Sequence, residues 1–382
     1  MSFKYVSLYS LAEWKNGLAF KQIHFAGQGK PVIKIAELKN GITAQTAYTQ
    51  QTFDDSVYLT KGDMVFSWSG NPETSIDVFW YNLPNGWLNQ HIFKVTPNEG
   101  VHKLYLYYLL KSLKPQFTAI ASNKQTTGLG HVTIRDMKEM MIELPDYDIQ
   151  KSVGEYLYSI DQKVCINQRI NDNLEQQASA LFSSFYDRSN TEVRYTDLIQ
   201  ILGGGTPKTG ENTYWNGNIA FFTPKDVGTP YTLITEKTIT EEGLSHCNSR
   251  LYPVNTVFVT ARGTVGKVGM SGVPMAMNQS CYALVGKETH QLLVYFYTLK
   301  AVDRLKHKAS GAVFDAITTR DFESEQIMKL SDDDAKAFLC IAEPMFQKVL
   351  NNCIENLRLS TLRDSLLPKL MSGEIDVSAV QL

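Results

Sequence analysis

The sequence predicts an α+β protein in which two globular domains, residues 1–148 and 190–330, are separated by two long antiparallel helices, residues 149–189 and 331–382. The helices are expected to pair like a coiled coil, and the plan is an internal duplication with pseudo-twofold symmetry. Three observations lead there. Residues 149–186 contain no proline and one glycine, Gly154, and apolar residues recur at three- and four-residue steps through Val164, Ile170, Leu174, Ala178, Leu181 and Phe185. That periodicity is a helix with one apolar stripe. A second helical stretch, between residues 336 and 370, repeats the Gln162-Lys-Val164 opening as Gln347-Lys-Val349. The globular segments also repeat their order: Val65-Phe66 recurs as Val257-Phe258, Asn89-Gln90 as Asn278-Gln279 and Arg135-Asp136-Met137 as Arg320-Asp321-Phe322, at offsets of 192, 189 and 185 residues. A period this long is a duplicated domain rather than a solenoid, whose repeats run about 20–50 residues.

In chain order, the first domain opens amphipathically (Val6, Leu8, Leu11, Trp14) and turns at Asn16-Gly17. Strands are expected at 31–35, at 64–68 after the Lys61-Gly62-Asp63 turn, and at 89–95, then a helix at 103–113. Pro115 and a loop follow, with a polar, glycine-bearing segment at 124–130 and a strand at 140–144; Pro145 and Asp146 launch the first long helix. After a polar linker the second domain runs through the same order. Ser331 is placed to cap the second long helix, with Asp332, Asp333 and Asp334 in its first turn. Pro344 should break or kink it, so its main body is expected to start there, and Gly373 should close it.

Composition bounds the function. At 382 residues two globular units are the default. No apolar run approaches the roughly 20 residues that span a bilayer, and the start of the chain lacks a signal-peptide core, so a cytoplasmic protein without membrane association is expected. The five cysteines include no Cys-x-x-Cys pair and are read as reduced thiols. The net charge of −2 divides into +3 and +1 on residues 1–145 and 191–330 against −3 on each helical part, which permits an anionic partner on the globular parts. Catalytic motifs are missing. Gly263-Thr-Val-Gly-Lys-Val268 fails the phosphate-loop pattern at Ala261 and Val268, and Asn71-Pro72-Glu73 is too little for a methyltransferase loop. Asp146 and Asp148 suit a helix start better than a metal, and His246-Cys247 lack further ligands, so no catalytic or metal residue is assigned.

Several segments together resemble one family: Gly62-Asp63-Met-Val-Phe-Ser-Trp68, Asn89-Gln90, Gly203-Gly-Gly-Thr-Pro207, Tyr214-Trp215-Asn-Gly217, Thr223-Pro-Lys-Asp226, Thr260-Ala-Arg-Gly263, and the tail Leu362-Arg363-Asp364 with Leu366-Leu-Pro-Lys-Leu370. In that order, over essentially the whole length, the chain resembles the specificity subunits of type I restriction-modification enzymes. The resemblance implies two target-recognition domains that each read half of a split double-stranded DNA sequence. It also implies that the helices act as a spacer and a docking site for two modification subunits, with restriction subunits added. No cofactor is implied in this chain; S-adenosylmethionine, ATP and magnesium belong to the partners.

For such a role, DNA contact is sought in loops bearing cations and amides, since phosphates take Lys or Arg and base edges take Arg, Lys, Asn or Gln. Lys124, Gln125, Thr126 and Thr127 fit in the first domain, and Lys306 and Lys308 occupy the equivalent place before Arg320, where His307, Ala309, Ser310 and Gly311 complete the segment; a solvated loop is the alternative. Lys208 and Thr209 after the triple glycine, and Arg262, are further candidates, against a surface turn and a structural ion pair. Trp68, Trp80 and Trp215 could stack on bases or belong to the core. Tyr156, Phe182 and Leu350 lie off the main helix stripes and are candidates for subunit docking. The competing functional reading is a two-headed protein adaptor that never touches DNA.

Overall fold

The computed structural model describes residues 3–124, 128–228, 230–308 and 316–375. The chain divides into two compact units, one made of Met1–Lys163 with Leu359–Leu382, the other of Val164–Arg358.

In the first unit an antiparallel sheet runs in the order Ala12–Asn16, Ile92–Pro97, Met64–Ser67, Asp77–Trp80. Side chains alternate across it. Met64 and Phe66 join Trp14, Phe93, Leu106 and Phe117 in the main core, whereas Val65 joins Ile33, Leu59 and Trp87 in a second one. The helices Lys103–Ser112 and Lys114–Asn123 cover the main core. Pro115 sits in the first turn of the latter, where its missing N–H removes no helical bond, so the loop expected there is a helix. The segment Phe3–Ser7 pairs antiparallel with Met141–Pro145, immediately before the first long helix.

The second unit repeats the plan. Thr191–Arg194 pairs with Gln326–Lys329, and Val257–Thr260 lies beside Cys281–Gly286 in a sheet that continues to Ile199–Gly203 on one side and Val268–Ser271 on the other. Helix Gln291–Lys308 packs on it through Leu293, Phe296 and Tyr297. The repeated Arg-Asp dipeptides now have a physical account. Thr133 and Asp136 form a reciprocal cap on helix Ile134–Glu139, and Thr318 and Asp321 form the same cap on Thr319–Ser324. In each, the threonine hydroxyl accepts from the aspartate backbone N–H while the carboxylate accepts from the threonine N–H.

The long helices span Tyr147–Arg188 and Asp332–Met371. Pro344 therefore lies inside the second rather than at its start. Both Pro344 and Cys340, whose carbonyl would have paired with the missing N–H, are exposed, while Phe338, Ala342 and Phe346 bury the opposite face on either side. The freed carbonyl lies on the solvent side, and packing of the opposite face holds the helix through it. Ser331 accepts from Asp334 N–H as the N-cap, and Gly373, at φ +73°, ends the helix with its N–H on Leu370 O.

In the first unit Val153 and Leu157 of the first long helix and Leu370 of the second enter the main core. Gly154 is required there: a Cβ on it would fall 2.6 Å from Tyr105 N. Asp161 accepts from Tyr108 Oη and from Arg363 Nη1, each at 2.5 Å, which accounts for the arginine of the tail motif. In the second unit Ala178, Phe182 and Tyr186 pack with Phe338, Ala342, Phe346, Val349 and Leu350. Phe182 and Leu350 are 1% and 6% exposed, closed inside that core, so neither offers a partner any surface; this corrects their assignment to subunit docking. Tyr156 is half-buried against the first unit's core.

Within the second unit the helix pair carries an amide layer. Asn167 Nδ2 donates to Asn356 Oδ1 and Asn352 Nδ2 donates to Asn171 Oδ1, both at 2.8 Å. Asn167 corresponds to Asn352 and Asn171 to Asn356 at the 185-residue offset of the helical repeat, so the two bonds exchange under a local twofold, as the duplication requires. The layer displaces the expected apolar stripe. Asn167 and Asn171 are buried while Ile166 and Ile170 are 48% and 38% exposed.

Candidate nucleic-acid interface

In the second unit, the motif segments that lie far apart in sequence converge on a cavity of about 500 Å³ whose lining includes Thr223, Lys225, Lys237, Arg262, Thr264 and Asn278. Each position has a local cause. Asp226 accepts from Thr223 N–H and Oγ1 and from Glu236 N–H, closing the Thr-Pro-Lys-Asp turn and leaving Lys225 outermost. Arg262 follows the central strand. Its N–H donates to Ser280 O, its backbone bridges to Ala316, and Gly263 turns the chain at φ +82°.

The triple glycine belongs to the same structure. A Cβ on Gly204 would meet Asn278 O at 2.3 Å and one on Gly205 would meet Asn248 N at 2.6 Å, so the turn lies directly on the Asn278-Gln279 anchor. Thr206 Oγ1 donates to Gln279 Oε1. Trp215 Nε1 donates to Lys208 O, and Lys237 Nζ lies 5.5 Å from the Trp215 ring centre. Lys208 and Thr209 are exposed beyond that tie. Lys306 reaches the loop from the helix, its Cε lying where a Cβ on Gly266 would come within 2.7 Å. Arg262, Lys225 and Lys237 thus gather around one concave face that also carries Glu236, 3.7 Å from Lys225, while Lys306 lies beside the neighbouring Gly266 turn; the excess of cations suits an anionic ligand with hydrogen-bonding edges.

The lysines at the ends of the two paired loops are held differently. Lys124 pairs with Asp136, whose carboxyl, despite burial, is held below its usual range by Lys124 and Thr133. Lys308 pairs with Glu325, a fully buried carboxylate that Arg304 also approaches at 3.6 Å. Both ammonium groups already neutralise a structural carboxylate. Gln125, Thr126 and Thr127, like Ala309, Ser310 and Gly311, lie outside the described residues.

The corresponding face of the first unit contains residues that sequence reasoning missed. Ser69–Gly70 pairs with Gly130–His131 where the second unit has its Arg262–Ala316 bridge. His131 Nδ1 lies 2.8 Å from Ser69 Oγ, and Gln90 Nε2 lies 3.3 Å from His91 Nε2. The Trp68 ring is half-buried, stacked on Phe93, with His91 and His131 at 5.7 and 5.9 Å from its centre, and its Nε1 donates to Asn16 Oδ1 at 3.0 Å. Burial, and then the neighbouring His131, lower the His91 pKa. The one sequence signal for His91 was its place directly after the Asn89-Gln90 anchor. Trp80 stacks on Tyr107 instead and belongs to the sheet–helix contact.

Among the described residues, no three His, Cys, Asp or Glu side chains come together as a metal site needs, and no helix is long and apolar enough to cross a membrane.

A family model described as the type I restriction modification DNA specificity domain matches residues 2–176 and again residues 188–329. The chain is 23% identical over 403 residues to the Type I restriction enzyme HindI specificity subunit of Haemophilus influenzae, covering 83% of this chain and 87% of that one. It is 32% identical over 124 residues, 31% of this chain and 29% of the other, to the MjaIX specificity subunit of Methanocaldococcus jannaschii. The crystal structure of the S subunit of a type I restriction-modification system from M. genitalium matches with a TM-score of 0.59 over 97% of this chain and 96% of that one, at 15% identity, which is a likeness of fold.

Proposed function

Because the chain belongs to the type I restriction-modification DNA specificity family, we propose that its two units read the two halves of a bipartite target and that its long helices set their spacing and seat the modification subunits. Specificity subunits of these systems are non-catalytic DNA-recognition subunits. The observation that carries the proposal is the convergence of the repeated motif set on one face in each unit, with strand pairings that correspond across the duplication. In the second unit Arg262, Lys225, Lys237 and Lys306 supply phosphate contacts, and Asn278 supplies an amide for base edges. Lys208 and Thr209 extend that surface along the backbone of the duplex. Lys124 and Lys308, each paired with a structural carboxylate, brace the recognition domains rather than contact phosphate.

For docking, exposed Ile166 and Ile170 on the first long helix replace the buried Phe182 and Leu350, and Tyr156 and Leu362 add to the apolar surface the helices offer. The partners bring S-adenosylmethionine for methylation and, where restriction subunits join, ATP and magnesium. Sequencing of methylated adenines in DNA from cells expressing this chain with its candidate modification subunit tests the reading. A two-part motif with an undefined spacer is the expected result. No new methylation from an assembled complex would leave the adaptor reading instead.

A further inference from the structure

The two recognition faces differ in chemistry. The second unit lines its concavity with Lys225, Lys237 and Arg262 against one carboxylate, Glu236, 3.7 Å from Lys225, an excess of cations suited to phosphate. At the corresponding place the first unit has Trp68 surrounded by Asn16, Ser69, Gln90, His91 and His131. These are groups that both donate and accept, the repertoire needed to distinguish base edges in the major groove. Three features show that they are held for use. His131 is fixed by Ser69 on the two-stranded pairing that opens the segment after residue 128. His91 is exposed on the turn that follows Asn89-Gln90, and its backbone carbonyl accepts from Trp68 N–H. The Trp68 ring is braced from behind by Phe93, so the polar groups stand on a stiff wall.

We propose that His91, His131, Gln90 and Asn16, set around Trp68, are the base-reading residues of the first unit, and that this unit reads its half-site through neutral hydrogen-bonding groups where the second relies on cations. The inference rests on the specificity reading above. Imidazoles suit the task, since each neutral ring presents one donor and one acceptor nitrogen. Partial burial and the nearby His131 lower the His91 pKa, which favours that neutral form.

The test uses the full chain with its modification subunit, carrying His91→Ala, His131→Gln or, for comparison, Arg262→Ala, with methylated sites sequenced and DNA affinity measured across a salt series. Loss of a base contact is worth roughly five- to a hundredfold at the contacted position. The histidine variants should relax or change bases in one half of the motif, leaving the other half and the spacer intact. They should also leave the salt dependence of binding unchanged, because a neutral contact releases no counterion. Arg262→Ala should flatten the salt dependence and weaken the other half. A merely structural role for the histidines would lower methylation evenly at an unaltered motif. That outcome, or histidine variants indistinguishable from wild type, overturns the inference while the bipartite reading stands. A wild-type complex that methylates no bipartite motif overturns both.

Discussion

The amide layer of the second unit gives a quantitative prediction. Asn352 is fully buried and its Nδ2 donates to Asn171 Oδ1 at 2.8 Å; Asn171 is 6% exposed. Asn352→Leu keeps the branched shape but removes the donor, so the Asn171 carbonyl stays buried without it. Such an orphaned group costs about 1–3 kcal/mol, against the 0.5–1.5 kcal/mol that the bond itself contributes. Asn171→Leu should cost a similar amount, since it strands the Asn352 amide, whose Oδ1 already lacks a partner within the protein. The double variant removes both polar groups together and should return to within about 1 kcal/mol of wild type. The coupling between the two sites is therefore at least about 1 kcal/mol, with the double variant more stable than the sum of the singles.

Calorimetric unfolding of the four proteins reads this directly. A unit of about 200 residues shifts its Tm by roughly 2–4 °C per kcal/mol, so each single substitution should lower the second unit's transition by several degrees and the double should largely restore it. Additive losses in the double variant would refute the reasoning. They would mean that the amides are not exchanging bonds in a dry interface.

Four further predictions follow from the geometry. Burial, with some repulsion from Asp172, raises Glu175 to about 7 from an ordinary 4.5. The native state thus holds that proton more tightly than the unfolded chain, and stability is lost as pH rises from about 4.5 to 7. The full shift would be worth roughly 3 kcal/mol, which partial exposure reduces to about 1 kcal/mol. Glu175→Gln should accordingly be more stable than wild type at pH 8 and equal to it at pH 4 in urea titrations, and equal gains at both pH values would count against the assignment. Gly154→Ala should destabilise the first unit by about 1–3 kcal/mol in thermal unfolding despite alanine's helix propensity, because the backbone of Tyr105 occupies the Cβ position. Lys308→Ala should cost about 1–3 kcal/mol by weakening the neutralisation of Glu325, and adding Glu325→Gln should recover part of it in the same unfolding assay. Ile166→Asp with Ile170→Asp should leave unfolding unchanged and lower the fraction of chain that co-purifies with the modification subunit at least tenfold; undiminished assembly would move docking elsewhere.

The duplication, both long helices and the Ser331 and Gly373 ends of the second were legible because they depend on local chemistry: period, cap residues and a charged first turn. Residues 166–171 were misread for a reason that periodicity cannot register. Asparagines count as solvent-facing until two of them satisfy each other across a helix pair, and Asn167, Asn171, Asn352 and Asn356 do so only in three dimensions. Pro344 was overvalued as a breaker because its cost is a lost hydrogen bond, which an exposed face can replace from water. The second unit's site was half legible. Arg262, Lys208 and Lys306 were identified singly, whereas Lys225, Lys237 and Asn278 joined them through strand pairing over more than fifty residues. Lys124 and Lys308 looked like free loop cations because the carboxylates that claim them follow 12 and 17 residues later. The first unit's histidines are isolated in sequence and gain meaning from the Ser69–His131 pairing.

The strands that open and close each globular segment are hydrogen-bonded neighbours: Phe3–Ser7 with Met141–Pro145, and Thr191–Arg194 with Gln326–Lys329. Everything between the two strands of a pair leaves and rejoins the chain through a single short ladder. A foreign segment that ends in the same ladder and keeps the face packed on the following helix, as Tyr105 lies on Gly154 and Tyr108 bonds Asp161 in the first unit, would enter and leave at the same points, so recombination there would exchange the whole intervening segment at once.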